Sequence, residues 1–402
     1  DKLAISGGTI NAATVEATNA MDMTGGKIQT GTGVGTISAD SITMSNGTMN
    51  GNDLIIKATK DIQQTGGTIS ATKATLDAGN TIGQTAGSVI AKDTVAKAGT
   101  DVKLASSSNK LQNVTVDAQN GSATIVSAND TDGDLNVTTD GMVKDNLIIT
   151  NLTNGTANKI HFDKNLKAGG NITITNEEAD IEVANGTTMD AQNISLIAKN
   201  NNVNFQGGSV TAKDTVKAEA NNVGITDGTI SAKKVRAEAD KLAISGGTIN
   251  AATVEATKAM DMTGGTIQTG TGVGTVSADS IVMKDGKILG DDLTIKSTKD
   301  IQQSGGQISA TKATLDAGQM LNQTAGSAIA KDTVAKAGTD VKLASRTNKL
   351  QNVTVDAKNG SATIVSANDA DGDLNVTTVG TVAKDLTITN LKNGKANKIH
   401  FN

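Results

Sequence analysis

The chain carries two histidines, His161 and His400, and both lie in the tetrapeptide KIHF. A histidine-based triad needs a hydroxyl or thiol nucleophile and an orienting acid brought to the ring. The chain has no cysteine, and the two histidines are one position of a repeat met twice, so a solvated or bend-filling role is the simpler reading. The second feature with chemical content is NDTDGDL, which places Asp130, Asp132 and Asp134 close together and recurs as Asp369, Asp371 and Asp373. Clustered carboxylates bind calcium, but this spacing lacks the distal glutamate and sixth-position glycine of an EF-hand loop. A polar turn at Gly133 accounts for the cluster, so these six aspartates are metal candidates and no metal site is assigned. No catalytic residue and no cofactor-binding residue is assigned either.

These residues are carried by a chain with one local rule. Residues 61–80, DIQQTGGTISATKATLDAGN, contain three short stretches that alternate apolar with polar: Ile62 and Gln64, Ile69 and Ala71, Leu76 and Ala78. Period-two alternation marks strands with one buried face. Glycine and small polar residues between the stretches suit bends. Twenty such residues cannot close a core alone, but copies stacked on one another can.

The first pair recurs as Leu3/Ile5, Met21/Met23, Ile42/Met44, Ile82/Gln84, Val102/Leu104, Val203/Phe205 and Val223/Ile225. A second apolar column runs through Ile10, Ile28, Met49, Ile69, Val89, Val210 and Ile230, with glycine bends such as Gly66 and Gly67 between the columns. A step of about twenty residues predicts a solenoid. The expected fold is an all-β, right-handed parallel β-helix of about twenty rungs. Gln64, Gln84 and Gln323 fall in an inward column, where stacked amides can bond from rung to rung. Residues 141–170 are less regular, with NLTNGTANKIHFDKN in place of the glycine bend.

At residue 240 the sequence begins again: DKLAISGGTINAATVEAT at residue 1 returns there, and the match runs to Phe401, the counterpart of Phe162. The long period is 239 residues, so residues 1–239 form a first unit and residues 240–402 a second, partial one. The copies act as a substitution experiment. Ile37 becomes Val276 and Met49 becomes Ile288, whereas Asn19, Ser45 and Thr48 become Lys258, Lys284 and Lys287. Ile55 becomes Thr294 while Ile56 stays apolar as Ile295. Positions read as inward stay apolar and outward ones change charge. Val89 to Ala328 is a loss of volume that this facing does not explain. Asp240 is expected to stack directly on the preceding rung without a linker. A rung rise of about 4.8 Å puts one long repeat at roughly 57 Å and the whole rod on the order of 95 Å.

Composition narrows the classes. Proline, cysteine, tryptophan and tyrosine are absent and phenylalanine occurs three times, which suits a narrow aliphatic interior and strands that donate to ladders throughout. The missing aromatic platforms argue against a carbohydrate-cleaving β-helix, the enzyme alternative. Net charge is −5, and all but two of the basic residues, Arg236 and Arg346, are lysines, which is no footprint for nucleic acid. No apolar run reaches membrane-spanning length and no signal peptide is seen; the chain is expected to be an internal piece of a longer protein. Thr9, Thr48, Thr68 and Thr229 form a partial outward column of the kind ice-binding solenoids use. Lys27, Ser88 and Ser209 interrupt it, and β-propensity is the plainer cause. Asn46, Asn113, Asn154 and Asn185 open Asn-x-Thr triplets of the kind that accept glycans, at a frequency expected by chance in so Asn- and Thr-rich a chain.

The stretch GGTISATKATLDAGNTIGQTAGSVIAKDTVAKAGTDVKL couples a G-x-I-x-A strand to an A-G turn and then a D-V strand, at Ile69, Ala71, Ala78 and Gly79 and again at Ala98, Gly99, Asp101 and Val102. It resembles the repeats of filamentous-haemagglutinin-type exoproteins, large Gram-negative adhesins exported by two-partner secretion. NGSATIVSANDTDGDLNVTT resembles their more irregular rungs. The resemblance implies a secreted protein, extracellular or attached to the outer membrane at the cell surface, serving as a non-enzymatic structural stalk or filament in cell adhesion. The implied partners are further copies of the repeat. The alternative is direct binding of a receptor or glycan on a host or neighbouring cell.

Overall fold

The computed structural model describes residues 2–129, 133–153, 157–162, 164–368, 372–391 and 397–401, and among them it contains strands, bends and turns but no helix. The fold is a parallel β-solenoid of about 19 turns with a step of about 20 residues. The chain packs as two compact units, Asp1–Val203 and Asn204–Asn402. The start of the second long repeat lies inside the second unit. There Val223 pairs with Leu242 and Ile225 with Ile244 in parallel register, and the Asp240 amide donates to the Asn221 carbonyl at 2.9 Å. The chain therefore enters the second repeat with its ladder intact.

In the first unit Ile62–Ala78 and Ile82–Ala98 pair along their length, with Ile62 on Ile82, Ile69 on Val89 and Leu76 on Ala96. Alternation does what the pattern demands: Ile62, Gln64, Ile69, Ala74, Leu76 and Ala78 are buried, while the residues between them, Ala71 included, lie at the surface or half-buried. Ile37 and Val276 are both buried, as are Met49 and Ile288, so the inward facing holds in both long repeats. Val89 and Ala328 are both buried too, and nothing around them accounts for the change of volume.

Turns are not of equal length. Gln64 and Gln84, on successive turns, are 20 residues apart. Asn151 and Asn176 are 25 apart. The longer turns of the irregular region bring the count to about 19, where a uniform step predicts about twenty. Cover by a following turn decides burial near the chain's end. Phe162 is fully buried because Ile181 and Val183 continue its columns. Its counterpart Phe401, paired on one side through Val376, is 69% exposed.

At the glycine bends the second glycine adopts positive φ, as at Gly67 (73°) and Gly87 (80°). The bends stack closely: a Cβ at Gly67 would lie 2.6 Å from the Gly47 carbonyl oxygen. Gly67→Ala is expected to cost more than the roughly 1–2 kcal/mol of a left-handed alanine, because the stacked backbone must also move. Gly33→Ala, with nothing within 4 Å of the added carbon, should cost far less. Urea titration of the two variants checks the contrast; equal midpoints would refute it.

A polar spine runs through the interior. The Gln84 amide donates to Gln64 Oε1 at 3.1 Å and to Asn109 Oδ1 at 2.8 Å, and Asn109 Nδ2 returns a bond to Gln84 Oε1 at 2.7 Å. Asn109 Oδ1 also accepts the Val89 amide at 2.8 Å. Higher up, Ser127 and Asn129 bond the Leu111 backbone. Asn158 Nδ2 donates to the Asn129 carbonyl, and Asn151 Nδ2 donates to Asn176 Oδ1. The second unit repeats the first part of this spine with Gln303, Gln323 and Asn348. The expected glutamine stack is thus present, and it belongs to a longer chain of buried amides.

Candidate functional site

His161 lies on the three-residue strand Ile160–Phe162, between two fully buried neighbours, so its ring points outward and is 31% exposed. The parallel register puts Asn136 on one side of it and Glu182 on the other. Its Nε2 lies 2.9 Å from Asp134 Oδ2 and its Nδ1 3.6 Å from Glu182 Oε2. Lys159 pairs with Glu182 at 2.7 Å, and that hydrogen bond raises the lysine above its ordinary pKa. The other Asp134 oxygen accepts the Lys159 amide at 2.7 Å. Both ring nitrogens therefore face carboxylates, and neither is turned to a hydroxyl nucleophile. The ring sits in a polar clasp between turns on the outer face of a strand, partly exposed to solvent and not in a bend. The second unit keeps its core: His400 Nε2 lies 3.0 Å from Asp373 Oδ2. The Lys398 amide, first, and the His400 ring, second, hold Asp373 below the usual carboxylate range.

Of the candidate metal ligands, Asp130, Asp132, Asp369 and Asp371 lie outside the described residues. Asp134 and Asp373 are each engaged through both oxygens, by a backbone amide and an imidazole. Among the described residues no group of three or more histidines or carboxylates is arranged to hold a metal ion. If the cluster is a polar turn, a chelator is expected to move the melting temperature by no more than a degree or two, because no ion-linked free energy is then lost. A drop of many degrees in EDTA would restore the aspartate turns as a calcium site. Among the glycosylation triplets, Asn154 lies outside the described residues, and the Asn113 amide donates to Asp93 at 2.8 Å.

The surface holds a feature that motif reading missed. A recess of about 270 Å³ in the first unit is lined by Ser70, Ala71, Ile90, Ala91, Lys92, Lys110, Gln112 and Asn129. One of about 320 Å³ in the second is lined by Ala310, Thr311, Ile329, Ala330, Lys331, Lys349, Gln351, Asn368 and Gly372. Seven of these are the same residues one long repeat apart, from Ala71 and Ala310 to Asn129 and Asn368. The signal was present in the sequence: outward residues near 45–52 differ between the copies, whereas Ile90, Lys92 and Gln112 recur unchanged as Ile329, Lys331 and Gln351. The recess offers an exposed isoleucine edge, an amide and lysine ammonium groups, which suits a polar ligand with an apolar face.

A third array joins turns by charge. Lys217 pairs with Glu238 at 2.7 Å, Arg236 with Glu238 and with Glu255 at 2.8 Å, and Lys234 with Glu255 at 2.7 Å. The Lys217 hydrogen bond is the main cause that lowers Glu238, and the Lys234 bond the main cause that lowers Glu255. One of the chain's two arginines thus bridges strands on either side of the repeat junction at Asp240. No family model, no curated protein and no solved structure matches the chain.

Proposed function

We propose that the chain is a stiff, repetitive, non-enzymatic segment of a secreted surface adhesin of a Gram-negative bacterium, of the filamentous-haemagglutinin type. The observation that carries this reading is the duplication of the interior. The glutamine–asparagine network of Gln64, Gln84 and Asn109 returns bond for bond at Gln303, Gln323 and Asn348. Interior identity of that kind lets a protein grow by whole repeats while each turn keeps the neighbour it is built to cover. Length is then the selected property, as in a stalk or filament. Electron microscopy of chains with one, two and three long repeats tests it. Contour length should rise by roughly 54 Å per added repeat, about eleven turns at the strand spacing. Particles that fail to lengthen, or that fold back on themselves, would end the reading.

Direct adhesion is the second reading, favoured by the duplicated recess. Glycan-array and cell-binding assays of the Lys92→Ala, Lys331→Ala double variant test it, with lost binding expected under this reading and unchanged binding expected for a spacer. Carbohydrate cleavage is the third. It has against it the His161 Nε2 held at 2.9 Å by Asp134 and the absence of tryptophan and tyrosine from the sequence, and no turnover of pectin, alginate or glycosaminoglycan is expected.

A further inference from the structure

Two columns of charge flank one outward sheet face of the first unit. In one, Asp53, Lys73 and Asp93 succeed one another in register. In the other, four residues along each strand, Lys57, Asp77, Lys97 and Asp117 do the same. Between them runs a half-buried β-branched column, Thr36, Ile55, Thr75, Val95 and Thr115. Alternation within a column has a cause inside the chain, because successive charges pair loosely, Lys73 with Asp53 at 3.7 Å and Lys57 with Asp77 at 3.6 Å. The phase between the columns is not set by these pairs, although Lys97 is also held by Asp140, outside both columns, at 2.6 Å. On three of these strands the two outer residues have opposite sign, Asp53 with Lys57, Lys73 with Asp77, Asp93 with Lys97, although they stand roughly 13 Å apart, and on the fourth Asp117 stands opposite the neutral Asn113. The second unit repeats the face with Asp292 and Lys296, Lys312 and Asp316, Asp332 and Lys336.

We infer that this face docks on the same face of a second copy of the chain, side by side and parallel, level with level. A two-fold rotation about the solenoid axis direction sets the first column of one copy over the second column of the other. The three levels of residues 53–57, 73–77 and 93–97 then meet opposite charge at both edges, and the β-branched column meets itself. Four residues of spacing along a strand and about 4.8 Å per level give on the order of 300 Å² per partner over five levels. That lies below the range of stable specific interfaces, so the contact made by one face is weak. The inference rests on the solenoid geometry and goes beyond the stalk reading, since a stalk needs no lateral partner.

The absence of cysteine makes the test direct. Single outward cysteines are placed on the β-branched column at one level, in both long repeats: Thr36→Cys with Thr275→Cys, Thr75→Cys with Thr314→Cys, or Thr115→Cys with Thr354→Cys. Thr9→Cys with Thr248→Cys, in the column beside the glycine bends, is the control. Sheet faces pack about 10 Å apart, beyond disulfide reach, so the folded chain, checked by its β circular dichroism, is treated with a short bifunctional thiol cross-linker of about that span; a cross-linked dimer is expected at all three levels and not in the control. Dimer yield should fall as salt is raised. Cross-linking at one level only would mean antiparallel docking and overturn the proposed register; cross-linking at none, or equally in the control, would overturn the interface itself.

Discussion

Ile69→Asp is expected to lower stability by several kcal/mol, while Thr68→Asp, one residue away, should be close to silent. Ile69 is 3% exposed and stacks between Met49 and Val89. An aspartate there loses the aliphatic packing of three turns and places a carboxylate in an interior column with no cation to meet it. Thr68 points outward, where its hydroxyl accepts from Ser88 at 3.1 Å, and a carboxylate at that position stays hydrated. Each turn touches only its neighbours, so the damage should spread one or two turns before it is contained. Amide exchange should rise around residues 49, 69 and 89 and stay slow near Phe162. Equal shifts of the urea midpoint for the two variants would overturn the facing of the whole column.

Asn109→Leu should be nearly as costly, about 3–5 kcal/mol, although leucine is the more apolar residue. Asn109 is fully buried, and its amide serves the Val89 amide and both ends of the Gln84 side chain. Leucine leaves the Val89 N–H and the Gln84 amide without those partners, and each orphaned group costs about 1–3 kcal/mol. Adding Gln84→Leu should then cost less than its single-variant penalty, because the reciprocal pair is already broken. A loss under about 1 kcal/mol for Asn109→Leu would show that the spine is dispensable. Thr94 offers the opposite case: its hydroxyl is buried with no partner. Thr94→Val should therefore stabilise by about 1 kcal/mol, measured the same way.

Much of this architecture was legible in the residues alone. Apolar alternation set the inward columns, glycine pairs marked the bends, and the 239-residue period exposed which positions tolerate charge. The glutamine column could be read because Gln64 and Gln84 stand one regular step of 20 residues apart. A constant step makes vertical neighbours a matter of counting.

Where the step varies, counting fails and only the folded chain decides. Partners in the spine lie 16 residues apart at Ser127 and Leu111, 25 at Asn109 and Gln84, and 29 at Asn158 and Asn129. No single offset finds them, so the asparagines read as loop residues until the turns are stacked. The same holds for His161, which meets Asp134 across 27 residues. Local pattern determined which side of a strand each residue takes, because that depends on its immediate neighbours. Which side chains meet depends on the length of each intervening turn, and that was settled by the packing of one turn on the next.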